Sequence, residues 1–267
     1  MPFTAKSGKF NASINAVEFG TGDKAVKIGG ENVFPLYSFD AAIENAPKVG
    51  IEITDFGMEH EPECIKKYYE GCATLADMAR KAASMEGVDF LSFRMEGGDP
   101  NGANKSTEEL IGELKEIADA VDLPLVVCGC KNVEKDAELF SKAAEALNGK
   151  NAVILSAKEE NYKTVGAAAG LAYKQVVGAE SAVDINLAKQ LNVLISQLGV
   201  DSKSVVMNVG TAAVGYGFEY VISTMDRVKA AALQQGDANL QMPIITPVAS
   251  EAWGVKEAMA SETDAPE

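Results

Sequence analysis

Along this chain, short runs rich in β-branched residues alternate with longer stretches whose apolar positions recur every three or four residues. The short runs fall at residues 49–54, 88–95, 123–128, 151–156, 175–179, 204–209 and 242–247 and predict strands. Between them, Leu110, Leu114, Ile117, Ala118 and Val121 form one helical stripe, and Leu139, Phe140, Ala143 and Leu147 a second. Leu187, Leu191, Leu194 and Leu198 form a third, and Phe218, Val221, Ile222, Met225 and Leu233 a fourth. Strands separated by helices are forced into right-handed crossovers and a parallel sheet. Such a series in 267 residues predicts an α/β fold, the (β/α)₈ TIM barrel, which typically takes about 250 residues. No eighth strand follows residue 247; the last βα unit is expected to be missing from this chain, leaving two unpaired edges, so that either the sequence is a fragment or a partner covers the gap.

Local signals mark the helix ends. Ser106 and Glu109 have the spacing of a capping box. Asn132 and Asp184 are placed to cap the helices after them, and Gly199 and Gly236 to stop the third and fourth stripes. Near the N-terminus, residues 13–19 and 25–28 flank Gly20-Thr21-Gly22-Asp23, which predicts a β-hairpin. The expected organisation is therefore an N-terminal hairpin and plug over residues 1–35, then a TIM-barrel domain over 36–267.

Composition narrows the function classes. Hydrophobic residues make up 47% of the chain, enough for a full core, and the net charge is −15. A surface this acidic repels phosphate backbones, which argues against nucleic acid and anionic membranes as partners. No apolar run reaches the roughly 18 residues of a membrane span, and the N-terminal residues lack the apolar centre of a signal peptide, so the cytoplasm is the expected compartment. The four cysteines, Cys64, Cys72, Cys128 and Cys130, have the spacing of neither a zinc pair nor a redox C-x-x-C, and no iron–sulfur cluster is expected within this chain. With His60 as the single histidine, neither a multi-His metal site nor a histidine-based relay beyond that residue is available.

Barrel enzymes work at the C-terminal ends of their strands, and there this sequence gathers amides, carboxylates and small residues. Asp55 follows the first strand, residues 96–104 (EGGDPNGAN) the second, Cys128-Gly129-Cys130 the third, and Glu159-Glu160-Asn161 the fourth. Asp184-Ile185-Asn186 follows the fifth, Asn208 and Gly210 the sixth, and Thr246 the seventh. No Arg or Lys cluster converges there in the sequence to clamp a phosphate. Amides and small residues suit hydrogen bonding to a large, flat, amide-rich or heterocyclic ligand. The competing reading is plain: Asx residues after strands cap the next helix.

The stretches MEGGDPNGANKS (95–106), PLVVCGCKNVEKD (124–136), EENYKTVGAAA (159–169), DINLAKQLNVLI (184–195), VGYGFEY (214–220) and MPIITPVASEAW with VKEA (242–258) resemble the small (delta) subunit of the corrinoid iron–sulfur protein of the CO dehydrogenase/acetyl-CoA synthase system. The similarity runs from about residue 28 to 260. It implies a methyl-carrier role in the Wood–Ljungdahl (acetyl-CoA) pathway, beside a large subunit that bears a corrinoid (cobamide) and a [4Fe–4S] cluster. The implied partners are that large subunit in a heterodimer, a methyltransferase using methyl-tetrahydrofolate or a methyl-tetrahydropterin, and acetyl-CoA synthase/CO dehydrogenase. The barrel top would face the corrinoid, with Asp99, Asn101, Asn104, Cys128, Asp184, Asn186 and Asn208 lining that mouth. Their expected roles are positional, with no catalytic or metal-ligating residue assigned. Two departures bear on chemistry. Close relatives tend to read Asp-Pro where this chain has Asn208-Val209, and pterin-binding methyltransferases of similar fold place acids where Cys128 and Asn208 stand. Autonomous pterin binding and a purely non-catalytic scaffold are the two alternative functions.

Overall fold

The computed structural model describes residues 8–34, 42–213, 215–252, 255–256, 260–261 and 263. The expected boundary between residues 35 and 36 lies outside them. Two short strands, β1 (Val17–Phe19) and β2 (Val26–Ile28), pair antiparallel. Six parallel strands follow: β3 (Gly50–Thr54), β4 (Phe90–Arg94), β5 (Leu125–Cys128), β6 (Val153–Ala157), β7 (Val176–Glu180) and β8 (Val205–Asn208). They lie in sequential order in one sheet. The predicted strand at 242–247 contributes a single parallel bridge, Met207 to Ile244. Pro243 and Pro247 explain its brevity, since proline has no N–H to give to a ladder.

The helices are α1 (Glu63–Tyr68), α2 (Leu75–Ala83), α3 (Thr107–Ala120), α4 (Val133–Ala146), α5 (Tyr162–Val165), α6 (Ile185–Gln197), α7 (Phe218–Leu233) and α8 (Val248–Ala252). A π-helical stretch, Gly166–Ala172, continues α5. Ser106 accepts from the Glu109 N–H, one arm of the expected capping box, Asn132 accepts from the N–H of Lys135, and Asp184 from those of Asn186 and Leu187. A complete capping box, unmarked in the sequence reading, closes α2 through Thr74 and Asp77.

Alternation along the parallel strands sends successive side chains to opposite faces, and each face has its own core. On one face Leu91, Phe93, Val127, Ile154, Val177, Val205 and Met207 pack with the helix stripes, among them Leu110, Leu114, Leu139, Phe140, Leu191 and Val221. On the other, Val126, Cys128, Val153, Leu155, Val176 and Val206 form a cluster with Val17, Phe19 and Val26 of the β1–β2 pair. Phe19 meets Phe90 edge-on at 5.6 Å, and a side chain on Gly50 would overlap the Phe90 ring. Apolar burial on both faces is what a parallel sheet requires. The described residues thus form an α/β structure on a sequential parallel sheet, the part of the expected architecture that they display.

Candidate functional site

The face shared with β1–β2 changes character along its strands. Toward the N-terminal ends it is apolar. Toward the C-terminal ends the same alternation presents Glu52 on β3, Ser92 and Arg94 on β4, Cys128 on β5, Glu180 on β7 and Asn208 on β8, and Ser156 of β6 joins them. Arg94 and Glu52 form a two-pronged ion pair, Nε to Oε1 at 3.0 Å and Nη2 to Oε2 at 2.9 Å. Burial works against the guanidinium's charge, but the Glu52 carboxylate that grips it is among the groups that outweigh this and raise its pKa. Ser92 Oγ lies 3.5 Å from Cys128 Sγ. Burial pushes the Cys128 thiol up to about 11, so near neutral pH it is an uncharged, inert group.

Across the sheet, Asn208 donates through Nδ2 to Ser156 Oγ at 3.0 Å and to Glu180 Oε2 at 3.5 Å, and accepts from the Gly210 N–H at 3.0 Å. Lys158 Nζ pairs with Glu180 Oε1 at 3.3 Å. The pairing of β6 with β7 shifts register between Ile154 and Ala157, and consecutive Leu155 and Ser156 both line the resulting pocket. A local irregularity of this kind re-aims a side chain that strict alternation would send to the other face. The pocket measures about 140 Å³ and is bounded by Arg94, Cys128, Asp136, Lys158, Glu180, Asn208 and Thr211, among others. Among the described residues, the buried hydroxyls Thr211 Oγ1 and Thr246 Oγ1 have no hydrogen-bond partner.

Behind this pocket, Asp136 accepts from the Cys130 N–H at 2.7 Å and the Cys130 thiol at 3.2 Å. Burial raises the Asp136 carboxyl, and burial raises the Cys130 thiol to about 12. A second brace holds the loop after β4. The side chain of Asp55 is fully buried, accepts from the Gly97 N–H at 2.9 and 3.1 Å, and pairs with Lys105 Nζ at 3.0 Å. Lys105 also reaches Glu113 at 3.2 Å.

Of the sequence-derived site residues, Cys128 and Asn208 line the pocket. Asp99, Asn101 and Asn104 lie together on the braced loop, where Asp99 Oδ1 accepts from the N–H and the amide of Asn101. Asn101 and Asn104 are exposed. Asp184 is occupied as the α6 cap, beside exposed Asn186. All sit at or beyond the C-terminal strand ends, but in three places. Sequence reasoning missed Glu52, Arg94, Ser156, Lys158 and Glu180. For Glu52, Arg94 and Glu180 the available signal was a charged residue near the C-terminal end of an otherwise apolar strand. Two tyrosines after β8, Tyr216 and Tyr220, are 58% and 66% exposed at this end. Among the described residues, no group of three or more His, Cys, Asp or Glu is arranged to hold a metal ion, and no helix is long and apolar enough to cross a membrane.

The profile of the CO dehydrogenase/acetyl-CoA synthase delta subunit matches residues 16–263. The chain belongs to this family. Among its relatives is the acetyl-CoA decarbonylase/synthase complex subunit delta of Methanothermobacter thermautotrophicus, 33% identical over 251 residues that cover 93% of this chain and 63% of the relative. The subunit of the same name from Methanopyrus kandleri is 34% identical over 240 residues, 89% of this chain and 59% of the relative. That of Archaeoglobus fulgidus is 32% identical over 244 residues, 90% and 53%. The chain therefore spans between 53% and 63% of the length of these three. As a delta-family chain it aligns with delta subunits of acetyl-CoA decarbonylase/synthase complexes.

Proposed function

We propose that this chain is a methyl-carrier subunit. On this reading it pairs, in the cytoplasm, with a large subunit bearing a corrinoid and a [4Fe–4S] cluster. Together the two take a methyl group from a methyl-tetrahydrofolate or methyl-tetrahydropterin methyltransferase and pass it to acetyl-CoA synthase. The observation that carries the reading is the polar mouth itself: amides, hydroxyls and internally paired charges at the C-terminal strand ends, in a chain of this family. The sheet would close as a (β/α)₈ barrel in the assembled protein.

The donor set fits a corrinoid, whose rim is a ring of neutral amides. Asn208, Ser156 and the orphaned Thr211 hydroxyl offer neutral hydrogen bonds, while the Arg94–Glu52 and Lys158–Glu180 pairs cancel their own charge. When bound, the corrinoid supplies the cobalt that carries the methyl group. This chain's residues orient and shield. Asn208 and Cys128 would lie beneath the ring; Asp99, Asn101, Asn104, Asp184 and Asn186 would meet its edge. The exposed Tyr216 and Tyr220 are the residue type enriched at interface hot spots and would meet the partner.

A second reading, autonomous pterin binding, draws on Glu180 and Asp136, two carboxylates at the pocket that could meet a pterin N–H edge. A pterin N–H edge asks for both oxygens of one carboxylate, whereas Glu180 Oε1 is held by Lys158 and Asp136 Oδ1 by Cys130, and the first reading stands ahead of it. The deciding experiment is native purification followed by intact-complex mass and a visible spectrum, with methyl transfer then measured for Asn208→Leu. A one-to-one partner with corrinoid absorbance and a slowed variant support the carrier role. A lone colourless chain that binds methyl-tetrahydrofolate replaces it with the second reading.

A further inference from the structure

We infer that the pocket between β5 and β8 binds a primary carboxamide. Its natural occupant, a step that rests on the proposed function, is then one amide side arm of the corrinoid. Size sets the first limit. At about 140 Å³, the pocket is well below the roughly 300–1,000 Å³ of clefts that hold drug-sized ligands. It accommodates a short arm and excludes a macrocycle, which must remain above the mouth.

Charge sets the second limit. Arg94, Lys131 and Lys158 line the pocket together with Asp136 and Glu180, and Glu52 sits directly behind Arg94. Opposite formal charges match, so an anion finds no net positive field and a cation no net negative one. A neutral group that both donates and accepts is what remains.

The hydrogen-bond inventory then selects the amide. A carboxamide needs a donor for its oxygen and an acceptor for its N–H groups. Ser156 Oγ accepts from Asn208 and keeps its own proton for another partner, and the Thr211 hydroxyl is buried with none among the described residues. A buried hydroxyl left unpaired is unfavourable, and a ligand carbonyl would remove that penalty. Glu180, met by Asn208 only at 3.5 Å on Oε2, retains capacity to accept the N–H groups. Leu155, on the same face as Val153, supplies apolar contact for the methylenes of the arm.

Three probes with one carbon skeleton test this: propionamide, propionate and propylamine, titrated into the chain while the backbone amide resonances of Gly129 and Gly210 are followed. Propionamide is expected to saturate, with propionate and propylamine at least about tenfold weaker. Thr211→Val and Ser156→Ala should each weaken propionamide by about three- to tenfold, the value of one neutral hydrogen bond. Equal binding of propionate or propylamine, or no saturation by propionamide, overturns the inference. In the assembled complex the same variants should loosen corrinoid retention by a similar factor, read as the fraction of corrinoid lost on gel filtration. Unchanged retention with propionamide binding intact removes the corrinoid arm as occupant and leaves the amide pocket standing. Failure of the subunit reading would look different again, as recovery of the chain without any corrinoid-bearing partner.

Discussion

Arg94 and Glu52 face each other from adjacent parallel strands, two heavy-atom contacts of 3.0 and 2.9 Å locking a guanidinium to a carboxylate with side-chain exposures of 7% and 10%. Neither is paired in register with the other: Glu52 stands opposite Ser92, and Arg94 opposite Thr54. The pair reaches diagonally across the ladder. Removing one partner of such a pair strands the other charge. Arg94→Met should destabilise the fold by about 3–5 kcal/mol, whereas Glu52→Leu combined with Arg94→Met should be far milder. Urea unfolding of the two variants checks this; equal losses would contradict it.

Gly97 is required by its neighbour. A Cβ there would overlap Asp55 Oδ2, the carboxylate that accepts from the Gly97 N–H. Gly102, on the same loop, has only ordinary contacts for an added Cβ, at 3.6 and 3.8 Å. Gly97→Ala should therefore cost about 1–3 kcal/mol by overpacking, and Gly102→Ala should stay within about 0.5 kcal/mol of the parent. Thermal melts of both variants make the comparison.

Thiol chemistry should divide the four cysteines. Cys64 is exposed and Cys72 partly so, while Cys128 and Cys130 are buried, with thiols raised to about 11 and about 12. A thiolate-selective reagent at pH 8 should label Cys64 and Cys72 in the native protein and reach Cys128 and Cys130 only after unfolding. Peptide mapping of the labelled protein reads the result. Native labelling of Cys128 would refute the buried, neutral thiol.

Asp136 gives a pH signature. Burial holds its carboxyl above the ordinary value of 3.8, so the folded chain binds that proton more tightly than the unfolded chain. Its contribution to stability is fully present below the unfolded pKa and is lost as pH rises through the folded one. Asn at this position keeps an oxygen for the Cys130 N–H and removes the titration. The stability difference between Asp136→Asn and the parent should shift in favour of the variant as pH rises through that window, measured by denaturant midpoints at several pH values.

Much of the fold was legible because periodicity reports burial. Strands buried on both faces read as apolar runs, and β3 through β8 lie where those runs predicted them. The segment at 242–247 reads equally well, yet its prolines limit it to one bridge. The site was less legible. Cys128 and Asn208 stand out at strand ends, but Asp184 shows how capping and binding leave the same trace in a sequence: its carboxylate is spent on Asn186 and Leu187. Glu52 and Arg94 were missed because a strand residue's face depends on register, and their meaning emerges only once alternation and pairing place both on the same face. Ser156 was out of reach altogether, since the register shift that points it into the pocket has no signal in composition or spacing.

The β1–β2 pair also bears on how the chain reaches this state. Asn151 binds the carbonyls of Glu18 and Gly20 across sequence separations of 133 and 131 residues. Closing so long a loop is entropically unfavourable before any contact forms, and topologies built on distant contacts fold slowly. Phe19 and Val17 are therefore expected to complete their cluster after β5 and β6 have formed to receive them. The first residues to be synthesised in this segment are expected to be among the last to dock.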